Sequence, residues 1–251
     1  PIGHCDPPAV MAAVEAWLEL IGLRIPAGDG RGKVPVRPVV LVGHSMGGAA
    51  LFFASEDAWH PDELGRIAAA PALLLNDRMR QRFYRALGTG IQLSGWNDFT
   101  DRLTTSLIAP RIIDTLTQWG SRAVRAEHYR IYRETPERVV ARTCAAMGLL
   151  DVELSRQTWR NFVVYLAHKD RLVGLQPALE LLEDLHFDPA HIRVALGDHY
   201  FFSLGTRPAL HARNRAMLLD DITRMARSLA WRLNGGVAMV SDPPETPAAA
   251  G

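Results

Sequence analysis

The chain has 251 residues, 48% of them apolar and 22% charged, a globular composition that excludes intrinsic disorder and fibrous repeats. Its 28 basic and 27 acidic residues leave a net charge of +1, with no cationic run to follow a nucleic-acid backbone or an anionic membrane. No apolar stretch approaches the roughly 20 residues that span a bilayer.

Asp6 suits an N-cap and Pro7 a first helical position, and Val10, Val14, Trp17, Leu18 and Ile21 recur at helical spacing up to Gly22, which predicts an amphipathic helix. A Gly- and Pro-rich stretch over 26–38 leads into Val39-Val40-Leu41-Val42. That apolar run lacks polar alternation and predicts a strand covered on both faces, and with it a parallel sheet. After the turn 43–48 a short helix runs to about Ser55, and 67–70 reads as a weak strand. From 76 to about 157 the pattern is helical, with 11 arginines against 7 acids between Asp77 and Arg138 and with Phe83, Tyr84, Trp96, Phe99, Trp119 and Tyr129 interspersed. Such a segment reads as an inserted helical cap. A strand at 162–166, a helix at 177–185 and a strand at 192–196 then restore β-α-β. A last helix carries Leu210, Met217, Leu218, Ile222, Met225, Leu229 and Leu233 on one face, and a Pro/Ala/Gly tail follows from Gly235. The expected organisation is a first core part over 1–75, the cap over 76–157, a second core part over 158–234 and a tail over 235–251. Cys5 and Cys144 are far apart without ligand spacing and read as free thiols of a reducing, cytoplasmic setting. No metal or cofactor pattern is found.

Gly43-His44-Ser45-Met46-Gly47-Gly48 follows the apolar strand and opens a helix, the context that makes a G-x-S-x-G match mechanistic. The turn thrusts Ser45 clear of the sheet. Gly43 and Gly47, two residues to either side, are expected to be glycine because a Cβ would clash where the backbone passes close to its neighbours. His44 belongs to the elbow by position. The N–H of Met46, at the start of the helix, faces any negative charge that develops at the serine.

With this elbow the sequence resembles the α/β-hydrolase superfamily, in which a serine nucleophile, a later acid and a still later histidine follow in that chain order. The resemblance implies a mostly parallel sheet flanked by helices, with an inserted helical cap. A serine hydroxyl is a poor nucleophile at its ordinary pKa and needs a neutral imidazole as base, oriented by an acid. Asp170, in Ala167-His168-Lys169-Asp170-Arg171-Leu172-Val173, resembles the family's acid loop. Asp77 is the alternative acid, one strand earlier, as in some thioesterases of the superfamily. His199, in Gly197-Asp198-His199-Tyr200-Phe201-Phe202, resembles the loop that swings the family's histidine over the nucleophile. Asp198 is a poor acid for it, because successive side chains of an extended loop diverge. His60, His128, His186, His191 and His211 read as surface or helix residues.

The chain departs from the family pattern at its start. Four strands normally precede the nucleophile strand, and the loop after the third supplies a second oxyanion donor; neither is found, and Pro1-Ile2-Gly3-His4-Cys5-Asp6-Pro7 resembles the loop after the fourth. The N-terminal part of the sheet is therefore expected to be absent from this chain, leaving an apolar edge that is adhesive when wet. A longer parent protein, a second chain supplying the strands, or a cleaved but retained segment would each account for it.

The resemblance implies a serine hydrolase acting on a small acyl ester or thioester, without cofactor. The segment Gly197–Phe202 is similar to that of biosynthetic thioesterases, and the net +4 of the cap suits a phosphopantetheine acyl carrier, so a thioesterase or acyltransferase acting on carrier-bound acyl groups is one alternative. A non-catalytic, hydrolase-like binding subunit is the alternative of another class.

Overall fold

A computed structural model describes residues 6–23, 37–54, 59, 62–73, 78–94, 106–107, 109–148 and 159–234. Helix α1 (Pro7–Leu20) starts as its sequence dictates: the Asp6 carboxylate accepts the Ala9 N–H at 2.8 Å, and Pro7 fills the first turn. Its face differs from the expected one. Met11 and Leu18 are buried, Val10 and Val14 pack beside them, but Trp17 is 57% exposed and Ile21 is exposed too.

Four parallel strands, β1 (Val39–His44), β2 (Leu64–Ala69), β3 (Phe162–Ala167) and β4 (Ile192–Ala195), lie side by side in chain order. Every residue of β2 and β3 is buried. By contrast, β1 pairs only with β2 among the described residues and is half-buried, with Val42 48% exposed. This corrects the expectation of a strand covered on both faces: continuous hydrophobicity marks burial where neighbours flank a strand on both sides.

Helix α2 (Met46–Ala50), the helical turn 51–53 and α7 (Leu175–Asp184) pack with α1 on one sheet face, around Phe52, Trp159, Phe162, Val164 and Phe187. The opposite face, formed by Ile67, Ala69, Val163, Tyr165 and Ala195, takes Met217, Leu218, Ile222 and Met225 of α8 (Pro208–Leu233). Sequential order with one hand of crossover puts α2 and α7 on the same side, so the final helix covers the other. Met225 reaches so far in that a Cβ on Gly65 would stand 2.5 Å from its sulfur.

Between β2 and β3 come α3 (Arg78–Ser94), α4 (Ala109–Leu116), α5 (Arg122–Glu134) and α6 (Glu137–Gly148), with α3 packed along α6 and α4 against α5. Among the described residues no helix is long and apolar enough to cross a membrane. Asp77, Cys5 and the opening loop, Trp96, Phe99 and the tail fall outside the described residues.

Candidate active site

Ser45 follows β1 directly, at φ 53° and ψ −116°. A non-glycine residue rarely holds this conformation, which costs on the order of 1–3 kcal/mol and persists where its surroundings dictate it. Here they do. Ser45 donates its N–H to the Ala69 carbonyl, while its own carbonyl accepts from Ala49 and Ala72, so the elbow is tied to the end of β2. Gly43 is required as expected: a Cβ there would lie 2.3 Å from the Gly47 carbonyl oxygen. Gly47 is a correction. A Cβ on it meets nothing within 4 Å, and the crowded partner is Gly48, which closes on Gly43 and Pro71. Met46 opens α2, so its N–H belongs to the first helical turn, where no intrahelical acceptor exists.

Asp170 and His199 come together because the parallel ladder runs on past β3 and β4. His168 donates to the Ala195 carbonyl and Lys169 to that of Gly197. Asp170 Oδ2 accepts from His199 Nδ1 at 2.8 Å, and Oδ1 accepts the N–H groups of Leu172 at 2.8 Å and Val173 at 3.1 Å. Burial pushes the Asp170 carboxyl up, but the hydrogen bond and charge of His199 and the two backbone donors outweigh it and hold the group below its ordinary value. An ionised carboxylate only accepts, so His199 holds a proton on Nδ1, and in the neutral ring the lone pair lies at Nε2. That Nε2 is buried and has no hydrogen-bond partner among the described residues. The structure thus joins Asp170 to His199, but not His199 to the Ser45 hydroxyl.

The loop that carries His199 is pinned from several sides. Gly197 holds φ 147°, and a Cβ on it would meet Phe201 at 2.8 Å. From α8, Asn214 Nδ2 donates to the carbonyls of Leu196 and Phe201, each at 2.8 Å. Phe201 stacks on Tyr165. Asp198 points away from His199, as expected of a neighbour in an extended loop, and its carboxylate accepts the N–H groups of Trp119 at 2.7 Å and Tyr200 at 3.0 Å.

Three features escaped the sequence reading. The turn between α4 and α5 is a clasp across both loops: Trp119 takes Asp198, Ser121 donates to Leu204, and Thr206 donates to Trp119. In the amide orientation that satisfies both groups, the Gln118 oxygen accepts from Arg171 Nη1 at 2.8 Å. No local signal in 117–121 announces this. His44 is more than an elbow spacer, because its Nε2 donates to the His199 carbonyl at 3.0 Å and its ring lies 4.7 Å from that of His199. Burial, then the adjacent His199, pulls its imidazole down to about 4. His128 on α5 and His211 on α8 are helix residues, as expected, but both face inward: the ring of the first lies 4.4 Å from that of Tyr200, and the second is buried against Gly205. No group of three His, Cys, Asp or Glu side chains among the described residues is placed to hold a metal.

No protein-family model and no curated protein sequence matches the chain. Solved structures do. A bromoperoxidase from Bacillus anthracis superimposes with a TM-score of 0.58 at 17% identity, over 87% of this chain and 75% of that one. A thermophilic esterase from Thermogutta terrifontis gives 0.55 at 18% identity, over 89% and 74%. An esterase from Exiguobacterium antarcticum gives 0.53 at 12% identity, over 93% and 76%. Such identities speak for architecture alone. Parallel strands in chain order, helices on both faces, a strained serine at the end of β1, the loops of Asp170 and His199 at the same rim and these superpositions together establish that the chain has the α/β-hydrolase fold.

Proposed function

We propose that the protein is a serine hydrolase that cleaves a carboxylic ester or thioester through an acyl-enzyme. The observation that carries this reading is the buried 2.8 Å hydrogen bond between Asp170 and His199, held one contact away from the residue that precedes Ser45. Two of the superimposed proteins, described as esterases, support the choice of hydrolysis.

In this reading the Ser45 oxygen attacks the acyl carbonyl and its proton passes to the lone pair on His199 Nε2. Asp170, kept ionised, stabilises the imidazolium that results. The new oxyanion faces the N–H of Met46. Collapse of the tetrahedral centre breaks the bond to the alcohol or thiol, which leaves with the proton from His199, and water activated in the same way releases the acid and restores Ser45. The imidazole must close on the hydroxyl as substrate binds, since catalytic hydrogen bonds are often long before the complex forms.

A fluorophosphonate probe, located by peptide mass mapping, tests the proposal. Modification at Ser45, lost in Ser45→Ala, is expected together with hydrolysis of p-nitrophenyl butyrate. Folded protein in which Ser45 stays unmodified would sink the reading. Comparing that ester with butyryl-CoA then decides between ester and thioester, and Asp77→Asn against Asp170→Asn identifies the acid.

A further inference from the structure

We propose that His44 is a positioning residue: it ties the peptide of His199 to the strand end that carries Ser45, and so sets the separation of base and nucleophile. Its activity readout rests on the hydrolase reading above; its geometry does not.

His44 closes β1 and is bonded to Ser45, while His199 follows β4 at the other margin of the described sheet, 155 positions later. The remaining anchors of the histidine loop hold it to the loop after β3, to α8 and to the turn at Trp119. Those anchors reach the serine only indirectly, through the sheet and its ladder. Among the described residues, the hydrogen bond that joins the loop to the elbow is His44 Nε2 to the His199 carbonyl, at 3.0 Å. Around it, the His44 ring lies 4.9 Å from Tyr200 and 5.0 Å from Phe202, the latter edge-on. One side chain therefore bridges both reacting partners.

Direction of donation follows from chemistry. A carbonyl oxygen only accepts, so His44 Nε2 bears the hydrogen, and the neutral ring leaves Nδ1 bare. Neutrality matters because a cation at His44 would lie against the imidazolium that His199 becomes in the transition state. The ionisable groups that face His44 are His199, Asp170, His128 and Tyr200; the first and third resist its protonation and Asp170 favours it. Burial outweighs them and keeps the ring uncharged through the neutral range.

Two substitutions separate the donor from the packing. H44F keeps an aromatic ring and loses the N–H; H44Q keeps an N–H donor on a flexible stem. Displacement of a catalytic group by about 1 Å costs up to about 100-fold in rate. Accordingly, H44F is expected to lower kcat for p-nitrophenyl butyrate about 10- to 100-fold with KM within about threefold, and H44Q to recover more than about half of that loss on a logarithmic scale. The downfield proton NMR signal of His199 Nδ1–H should persist in the parent and H44Q, and shift or broaden in H44F. Unaltered kcat and proton signal in folded H44F would overturn the proposal, and so would equal losses in both variants with a normal signal. Unsubstituted protein supplies a check that needs no variant: nitrogen NMR should show His44 as the neutral Nε2–H tautomer at pH 6, and the Nδ1–H tautomer or a cation there would also overturn it. If the parent neither turns over nor takes the fluorophosphonate, yet its Nδ1 proton responds to H44F as described, the hydrolase reading falls and the positioning role stands.

Discussion

Two rims of one sheet handle buried polar groups in opposite ways. Under α8, toward the start of the strands, Asp221 accepts the hydroxyl of Tyr165 from mid-β3 at 2.5 Å and faces Arg193 at 3.6 Å and Arg224 at 3.3 Å, while Arg232 is engaged by Asp62, Ser228 and Asn161. A cavity of about 320 Å³ opens there, yet the arginines that line it are already matched to carboxylates. Beyond the other ends of the same strands, Asp170 is satisfied at both oxygens and the His44 Nε2–H has its acceptor, but His199 Nε2 has no partner among the described residues. A closed network gives rigidity. A rigid network that leaves the Nε2 of His199 unmet, beside the acid-paired Nδ1, is where a ligand can be received, because an unmet buried polar atom is costly until something meets it.

The sharpest way to break this contrast is Asp170→Asn. An amide turns its N–H₂ toward His199 Nδ1 and moves the ring proton to Nε2, where it blocks acceptance from Ser45. Turnover of p-nitrophenyl butyrate should fall about 10³- to 10⁴-fold, while thermal unfolding still reports a folded protein. A loss below about tenfold would remove Asp170 from the reaction.

Gly43→Ala comes next. Its Cβ would enter backbone, not a movable side chain, at 2.3 Å, so overpacking should cost about 3 kcal/mol, the upper end of the usual range, read as loss of soluble folded protein. Acid is a milder probe of the open rim. His44 has an ordinary pKa of 6.5 and a folded value of about 4, so the unfolded chain binds a proton across that interval which the folded chain refuses. Stability is therefore complete above about pH 6.5 and declines as pH falls toward 4, by up to about 3 kcal/mol. Asp170, also depressed in the fold, adds a loss below the ordinary carboxylate range. Urea midpoints measured at pH 7 and pH 5 should differ in the parent and converge in H44Q. At the closed rim, Tyr165→Phe removes the hydroxyl that Asp221 accepts; about 1–2 kcal/mol of stability should go, with kcat per folded molecule within about twofold. A greater effect on kcat would mean that the two rims are coupled.

How far the sequence could be read depended on whether a residue's environment is local. Asp6 and Pro7 cap α1 as a short stretch of chain dictates, and a serine between glycines after an apolar strand had to be an elbow, as φ 53° at Ser45 bears out. Asp170 and His199 were legible through their positions after strands, since the sheet converts chain order into adjacency. Contacts between distant loops were not. Nothing in Gln118-Trp119-Gly120 says that Asp198 and Arg171 will be its partners, and His44 read as a spacer because its acceptor is a carbonyl 155 positions away. The exposure of Val42 shows the same limit: hydrophobicity reports what a strand can bury against, not how many neighbours it has.

Gly47→Ala is the smallest expected effect and separates motif from mechanism. The pentapeptide pattern treats both glycines alike, whereas the space around them differs: Gly43 faces backbone, and Gly47 faces an open surface. Gly47 lies in the first turn of α2 at a φ ordinary for any residue. Glycine there loses more conformational freedom on folding than alanine does, so the substitution should raise stability by up to about 1 kcal/mol. In a chain of 251 residues that corresponds to roughly 2–4 °C in Tm. A drop of several degrees would show that space beside α2 is filled in solution, and a large loss of Ser45 labelling without loss of stability would show that it is filled by substrate.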